Sequence, residues 1–141
     1  MTGIRYLLDT NILSEPLRPR PNPNVLQTLI DCSEALATAS VVYHEICFGC
    51  QRLPDSRKRR AIEAYLQEEG KAKLVILPYD VEAAEWYALE RARLVRLGRT
   101  PPYLDGPIAA IAAINDLILV THNTADYADF QNLPIENWFD S

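Results

Sequence analysis

No stretch of this sequence approaches the roughly 20 consecutive apolar residues that a membrane-spanning helix requires. The opening Met-Thr-Gly-Ile-Arg-Tyr lacks the basic end, apolar core and cleavage site of a signal peptide. The expectation is a cytoplasmic protein with no membrane partner. Cysteine is scarce, an odd set of three at positions 32, 47 and 50, which excludes a disulfide framework. Cys47 and Cys50 form one Cys-x-x-Cys with His44 three residues before it, but no second cysteine pair exists to complete a tetrahedral zinc site. Small thiols in a reducing compartment are the plainer reading. With only five glycines there is no Gly-x-Gly-x-x-Gly and no Walker loop, so dinucleotide oxidoreductases and P-loop enzymes fall away. No serine or cysteine nucleophile has a base at recognisable spacing. Basic charge is also short, 14 lysines and arginines against 19 acids for a net −5. That argues against gripping nucleic acid through a broad basic surface, a mode that depends on neutralising phosphates.

What is present is an ordinary globular composition, 48% hydrophobic and 23% charged over 141 residues. A chain of this size buries roughly 68–70% of the surface its unfolded form exposes. It is expected to form a single domain over residues 1–141 and to need no metal merely to fold. Apolar runs at Ile4–Leu8, Ala35–Ala39, Leu74–Leu77 and Leu117–Val120 predict strands. Between them lie helical patterns. The proline-rich stretch Glu15–Asn24 predicts a stiff loop, then a helix capped by Asn22 with Pro23 at its first position and Val25, Leu26, Leu29 and Ile30 buried. Ser40 is placed to cap a helix running towards Arg52, Gly70 to close one begun near Ser56, and Asp80 to cap a long one ending at Gly98 with Trp86, Leu89 and Leu94 inward. Alternating strands and helices imply an α/β fold with a central, mostly parallel sheet of four or five strands between helical layers. Ligands of such sheets bind outside the carboxyl ends of the strands.

Four acids stand out by position: Asp9 after the first strand, Glu45 early in a helix, Asp105 at a helix start and Asp126 after the late strand. Taken singly, each reads as a helix cap or a complement to a helix dipole. Their setting adds more. Leu7-Leu8-Asp9-Thr10-Asn11-Ile12-Leu13-Ser14-Glu15, then Glu45, then Asp105-Gly106-Pro107-Ile108-Ala109-Ala110, then Thr121-His122-Asn123-Thr124-Ala125-Asp126 follow in order. From about Tyr6 to Trp138 the sequence resembles the PIN-domain ribonucleases, in particular the VapC-type toxins of toxin–antitoxin pairs.

The resemblance implies a three-layer α/β/α PIN-like fold and a metal-dependent endoribonuclease acting on RNA, with a small antitoxin and a second copy of the chain as partners. It implies Asp9, Asp105 and Asp126 as ligands of Mg²⁺ or Mn²⁺, Glu45 as a catalytic acid orienting water or a second ion, and Asn11, Thr121 and Asn123 bracing the pocket. The chemistry supplies a separate reason for such a cluster. A phosphodiester repels nucleophiles by its own charge, and a carboxylate-held Mg²⁺ or Mn²⁺ counters that charge and helps generate hydroxide near neutral pH. Hard oxygen ligands suit these ions.

The sequence departs from the family pattern at Gly106-Pro107, after the third acid, and at His122, where relatives often carry arginine. Asp116, Asp129 and Asp140 compete with Asp126 as the fourth acid. The runs Arg57–Arg60 and Arg91–Arg99 are solvated helix faces or, in a nuclease, phosphate-steering surfaces. Two alternatives stand beside the nuclease. One is a haloacid-dehalogenase-like phosphohydrolase with Asp9 as nucleophile, which expects an aspartate where this chain has Asn11; the other is a non-catalytic PIN-fold interaction module.

Overall fold

A computed structural model describes residues 3–140. Five strands form its sheet: β1 (Tyr6–Leu8), β2 (Leu36–Ala39), β3 (Val75–Leu77), β4 (Ile118–Val120) and β5 (Ile135–Glu136). They pair in parallel in the order β3-β2-β1-β4-β5. The central strands carry apolar side chains on both faces: Leu7, Leu8, Ala37, Ala39, Leu119 and Val120 are all fully buried. That is the mark of a parallel sheet flanked by helices. The short β5 follows Pro134 and has no apolar run of its own; it exists because β4 offers it an edge.

The flanking helices are α1 (Thr10–Leu13), α2 (Pro23–Asp31), α3 (Ser40–Gln51), α4 (Arg57–Tyr65), α5 (Val81–Arg96), α6 (Asp105–Ile114) and α7 (Thr124–Tyr127). Local signals explain several boundaries. The Asn22 carboxamide accepts from the main-chain N–H groups of Asn24 and Val25, and Pro23 takes the first position of α2, where a missing N–H costs nothing. Asp80 accepts from Ala83 N–H to start α5. Gly98, at φ 74°, ends it in a Schellman turn, with Arg99 N–H on Leu94 O and Gly98 N–H on Val95 O. Ahead of α2 the Glu15 carboxylate is buried; it accepts from Asn22 N–H at 2.7 Å and thereby ties down the proline-rich loop.

Four local expectations are corrected. Ser40 is the first residue of α3, and the extended Ala39 precedes it as a cap without a side-chain bond. Gly70 does not terminate the helix begun at Arg57. The chain continues beyond Tyr65 through a π-helical turn, Leu66–Lys71, and a methyl group on Gly70 would stand 3.4 Å from Tyr43 Cε1. Ile30 and Leu89 are 67% and 76% exposed. Trp86 and Leu94 do face inward, joined by Ala83, Tyr87 and Glu90 at steps of three and four residues, and this turns Leu89 outward.

Helix α6 is enclosed on nearly every side, with Gly106, Ile108, Ala109, Ala110, Ile111 and Ala112 buried. Its alanines let α5 pack closely along it. The approach is tightest at its start, where a Cβ on Gly106 would collide with the Tyr87 ring. The residue flagged as a departure is therefore a packing requirement. Gly106→Ala is expected to destabilise the chain by about 1–3 kcal/mol, the usual cost of overpacking. Urea unfolding checks this, and Tyr87→Ala in the same chain should recover part of the methyl clash.

Candidate active site

The chain leaves β1 towards β2 and β3 on one side, and returns to β4 and β5 on the other. The strand order thus reverses between β1 and β4, and sheets of this kind form their ligand crevice at the carboxyl ends of the strands beside such a reversal. Asp9 follows β1 and Thr121 follows β4, so both stand at that crevice. Asp9 is 6% exposed. Its N–H extends the ladder to Val120 O, and its Oδ1 accepts from Thr10 N–H at 2.8 Å, so the residue does cap α1. Its second oxygen has another use. Oδ2 accepts from Thr121 Oγ1 at 2.8 Å and from the Tyr127 hydroxyl at 3.2 Å. Thr121 Oγ1 in turn accepts from Asn123 N–H at 3.1 Å and from Asn11 Nδ2 at 3.5 Å, while Asn11 Oδ1 accepts from His122 N–H at 2.9 Å. Asn11 and Thr121 brace Asp9 with their side chains, whereas Asn123 contributes its main chain.

Asp105 opens α6, yet the cap position belongs to Leu104 and no side-chain cap bond forms. Its carboxylate is therefore not spent on the helix. Oδ1 accepts from the Tyr127 hydroxyl at 3.3 Å; Oδ2 is buried without any hydrogen-bond partner. One phenolic proton thus lies between two carboxylates. Burial, then Asp9 and Asp105, push the Tyr127 phenol far above its ordinary range, so it remains a donor. Burial, then the Asp9 and Asp126 carboxylates, push Asp105 up to about 6, against the lowering effect of the Tyr127 hydrogen bond.

Asp126 is exposed, in the first turn of α7, and acts on Asp105 through its charge. Glu45 is half-buried in α3, and its side chain makes no hydrogen bond or ion pair with any described residue. The competing acids have other settings, although Asp129 lines a pocket together with Asp126. Asp116 precedes β4, at the opposite sheet edge, with φ 55°; Asp129 pairs with Arg99 at 2.9 Å; Asp140 accepts from Asn137. Tyr127 is the residue that motif reading passes over. Its only signal is its place directly after Asp126, one helical step towards the interior.

Among the described residues, no three acid, histidine or cysteine side chains form a ready metal cage. The donor set still fits a hard cation. Mg²⁺ commonly takes one or two carboxylates and keeps its waters, and a buried carboxylate oxygen without a partner beside a second carboxylate is a site short of positive charge. Asp9 and Asp105 would hold the ion, while Asp126 acts on Asp105 through its charge.

Residues 6–133 match the PIN domain, and the chain belongs to that family. Among its relatives, Toxin FitB of Neisseria gonorrhoeae is 30% identical, with 95% of this chain and 99% of the relative covered. The VapC ribonuclease Y4jK of Sinorhizobium fredii is 30% identical over 86% of this chain and 89% of its own length. The tRNA(fMet)-specific endonuclease VapC of Shigella flexneri is 28% identical, with 96% and 98% covered. Among solved structures, that of FitAcB from Neisseria gonorrhoeae superposes with a TM-score of 0.88 at 29% identity, covering 96% of this chain and 99% of the other. The structure of FitAB bound to an IR36 DNA fragment gives 0.88 at 27% identity, with 96% of each chain covered. The haloacid-dehalogenase reading falls with this membership, and the Asn11 side chain is in any case committed to His122 and Thr121.

A carboxyl raised in the folded state binds its proton more tightly there than in the unfolded chain. Metal-free stability should therefore fall as pH rises from about 4 through 6. Urea midpoints in EDTA across that window should decline for the wild type and decline less for Asp105→Asn; equal slopes would remove Asp105 as the cause.

Proposed function

We propose that the chain is a divalent-metal-dependent endoribonuclease and the toxin of a toxin–antitoxin pair. The observation that carries this is the unpartnered, buried Oδ2 of Asp105 beside Asp9 at the strand-order reversal. The names of the relatives, which include ribonucleases, a tRNA-specific endonuclease and a toxin, support the substrate class. Asp9 and Asp105 would hold Mg²⁺ or Mn²⁺, with Asp126 as a third contact. When bound, the ion offsets phosphodiester charge and lowers the pKa of water. Glu45 is free of other bonds and thus available to orient water or a second ion. Thr121, itself held by Asn11, donates to Asp9 Oδ2 and keeps the carboxylate from turning. Hydrolysis breaks one P–O bond, with water supplying a hydroxyl to phosphorus and a proton to the leaving oxygen.

A small antitoxin is the proposed inhibitor, silencing the site by placing a basic side chain among the acids. A solved neighbour at 27% identity, a member of the VapBC family of toxin–antitoxin systems from Mycobacterium tuberculosis, supports such a partner. An apolar groove lined by Leu13, Pro16, Leu26, Leu29, Ile30 and Leu74 offers it surface to bury. The outward apolar residues of α5, Val81, Leu89 and Val95, favour a homodimer.

The tests are direct. Purified chain should cut RNA only with Mg²⁺ or Mn²⁺, and Asp9→Asn should reduce cutting by at least about a hundredfold and relieve the growth arrest caused by expression. Metal-independent cutting, or full activity in Asp9→Asn, would refute the mechanism; absence of metal affinity by calorimetry would favour the non-catalytic module. Sedimentation should give twice the chain mass, reduced to one by Leu89→Glu.

A further inference from the structure

Tyr127 is 1% exposed and belongs to none of the motifs that define the site. Its ring is fixed from behind by Phe130, with centroids 6.2 Å apart, so the hydroxyl has little freedom to swing away. A phenylalanine would fill this space equally well. The hydroxyl is therefore an added polar group in a buried place, and such groups persist where they are satisfied. Here both neighbours are carboxylate oxygens, Asp9 Oδ2 at 3.2 Å and Asp105 Oδ1 at 3.3 Å.

The two bonds differ in weight. Asp9 has Thr10 N–H and Thr121 Oγ1 as further donors, so it would stay oriented without the phenol. The Asp105 carboxylate has no other hydrogen bond. The tyrosine is thus the group that selects which way the Asp105 carboxylate turns, engaging one oxygen and leaving the other open. It also couples the two acids: a neutral phenol has one proton, shared between carboxylates from two distant parts of the chain.

We infer that Tyr127 is a positioning residue for cation binding, its hydroxyl holding Asp105 Oδ1 and Asp9 Oδ2 so that Asp105 Oδ2 remains the ligand oxygen. The inference rests on the proposed use of Asp9 and Asp105 as metal ligands. It assigns to this chain a tie between two acids that the family's acidic residues do not themselves supply. Removing a comparable outer hydrogen bond from a metal ligand typically costs about 10–100-fold in affinity.

The experiment titrates Mn²⁺ into wild-type chain and Tyr127→Phe, reading free ion by electron paramagnetic resonance, with urea unfolding in EDTA as a check of the fold. Tyr127→Phe should bind Mn²⁺ about tenfold more weakly. The Mn²⁺ concentration for half-maximal RNA cutting should rise in step, while the rate at saturating Mn²⁺ changes much less. Affinity equal to or tighter than wild type would overturn the positioning role, because it would mean the phenol only shields two repelling carboxylates. Failure of the wild type to bind Mn²⁺ would instead overturn the metal reading beneath it. A second measurement serves should Tyr127→Phe not fold: in a crystal structure of Mn²⁺-loaded wild type, the ion is expected on Asp105 Oδ2 with the phenol still on Oδ1. An ion on Oδ1, or a phenol turned away, refutes the inference.

Discussion

Two carboxylates, Asp9 and Asp105, share one hydroxyl at 3.2 and 3.3 Å in a mostly buried crevice, and this like-charge pairing governs the rest of the site. At the effective dielectric of a protein interior their repulsion amounts to a few kcal/mol. The fold tolerates it because each acid sits on a rigid element: Asp9 directly after the buried Leu7 and Leu8 of the central strand, Asp105 at the start of a helix enclosed on nearly every side. Donors from Thr10, Thr121 and Tyr127 offset part of the cost, while burial first, and then the Asp9 and Asp126 charges, raise the titration of Asp105. A cation removes the remainder, so the metal-free chain is held in a geometry that it would not choose on electrostatic grounds.

The same constraint explains where the positive charge is. Arg59 and Arg60 pair with Glu63 and Asp55, Arg93 with Glu90, and Arg99 with Asp129, so much of the basic charge is neutralised locally on α4 and α5. None of these pairs involves Asp9, Glu45, Asp105 or Asp126. A lysine or arginine bound among the acids would stabilise the crevice and also block it. The net charge of −5 is therefore no argument against an enzyme acting on RNA, since the excess of acid includes residues whose partner is a cation supplied from solution.

Strand and helix periods, turn residues and caps are local signals, and they located β1 to β4 and the starts of α2 and α5 because Asn22, Asp80 and Gly98 act within a few residues of themselves. Long-range packing decided the exceptions. Gly70 lies inside a π-helical turn against Tyr43, Leu89 faces outward because α5 turns another stripe towards α6, and β5 forms only as an addition to the edge of β4. The acids were legible for the same local reason as the caps, since each stands at an element boundary. Their partners were not. Tyr127 meets Asp9 across 118 positions of sequence and Asp105 across 22, and no spacing rule links residues so far apart.

By itself the sequence determined the alternating α/β plan and the order of the acidic motifs, because apolar periodicity and boundary residues are written within a few positions of one another. The tertiary structure alone decided which acids meet and which oxygen is left open. Parallel pairing of β1 with β4 brings Thr121 to Asp9, the packing of α6 under α5 turns Asp105 away from its helix cap, and the one-turn helix α7 puts the Tyr127 hydroxyl between them. These are contacts between surfaces that exist only once the sheet has formed, and a carboxylate's partner depends on those surfaces, not on its neighbours in the chain.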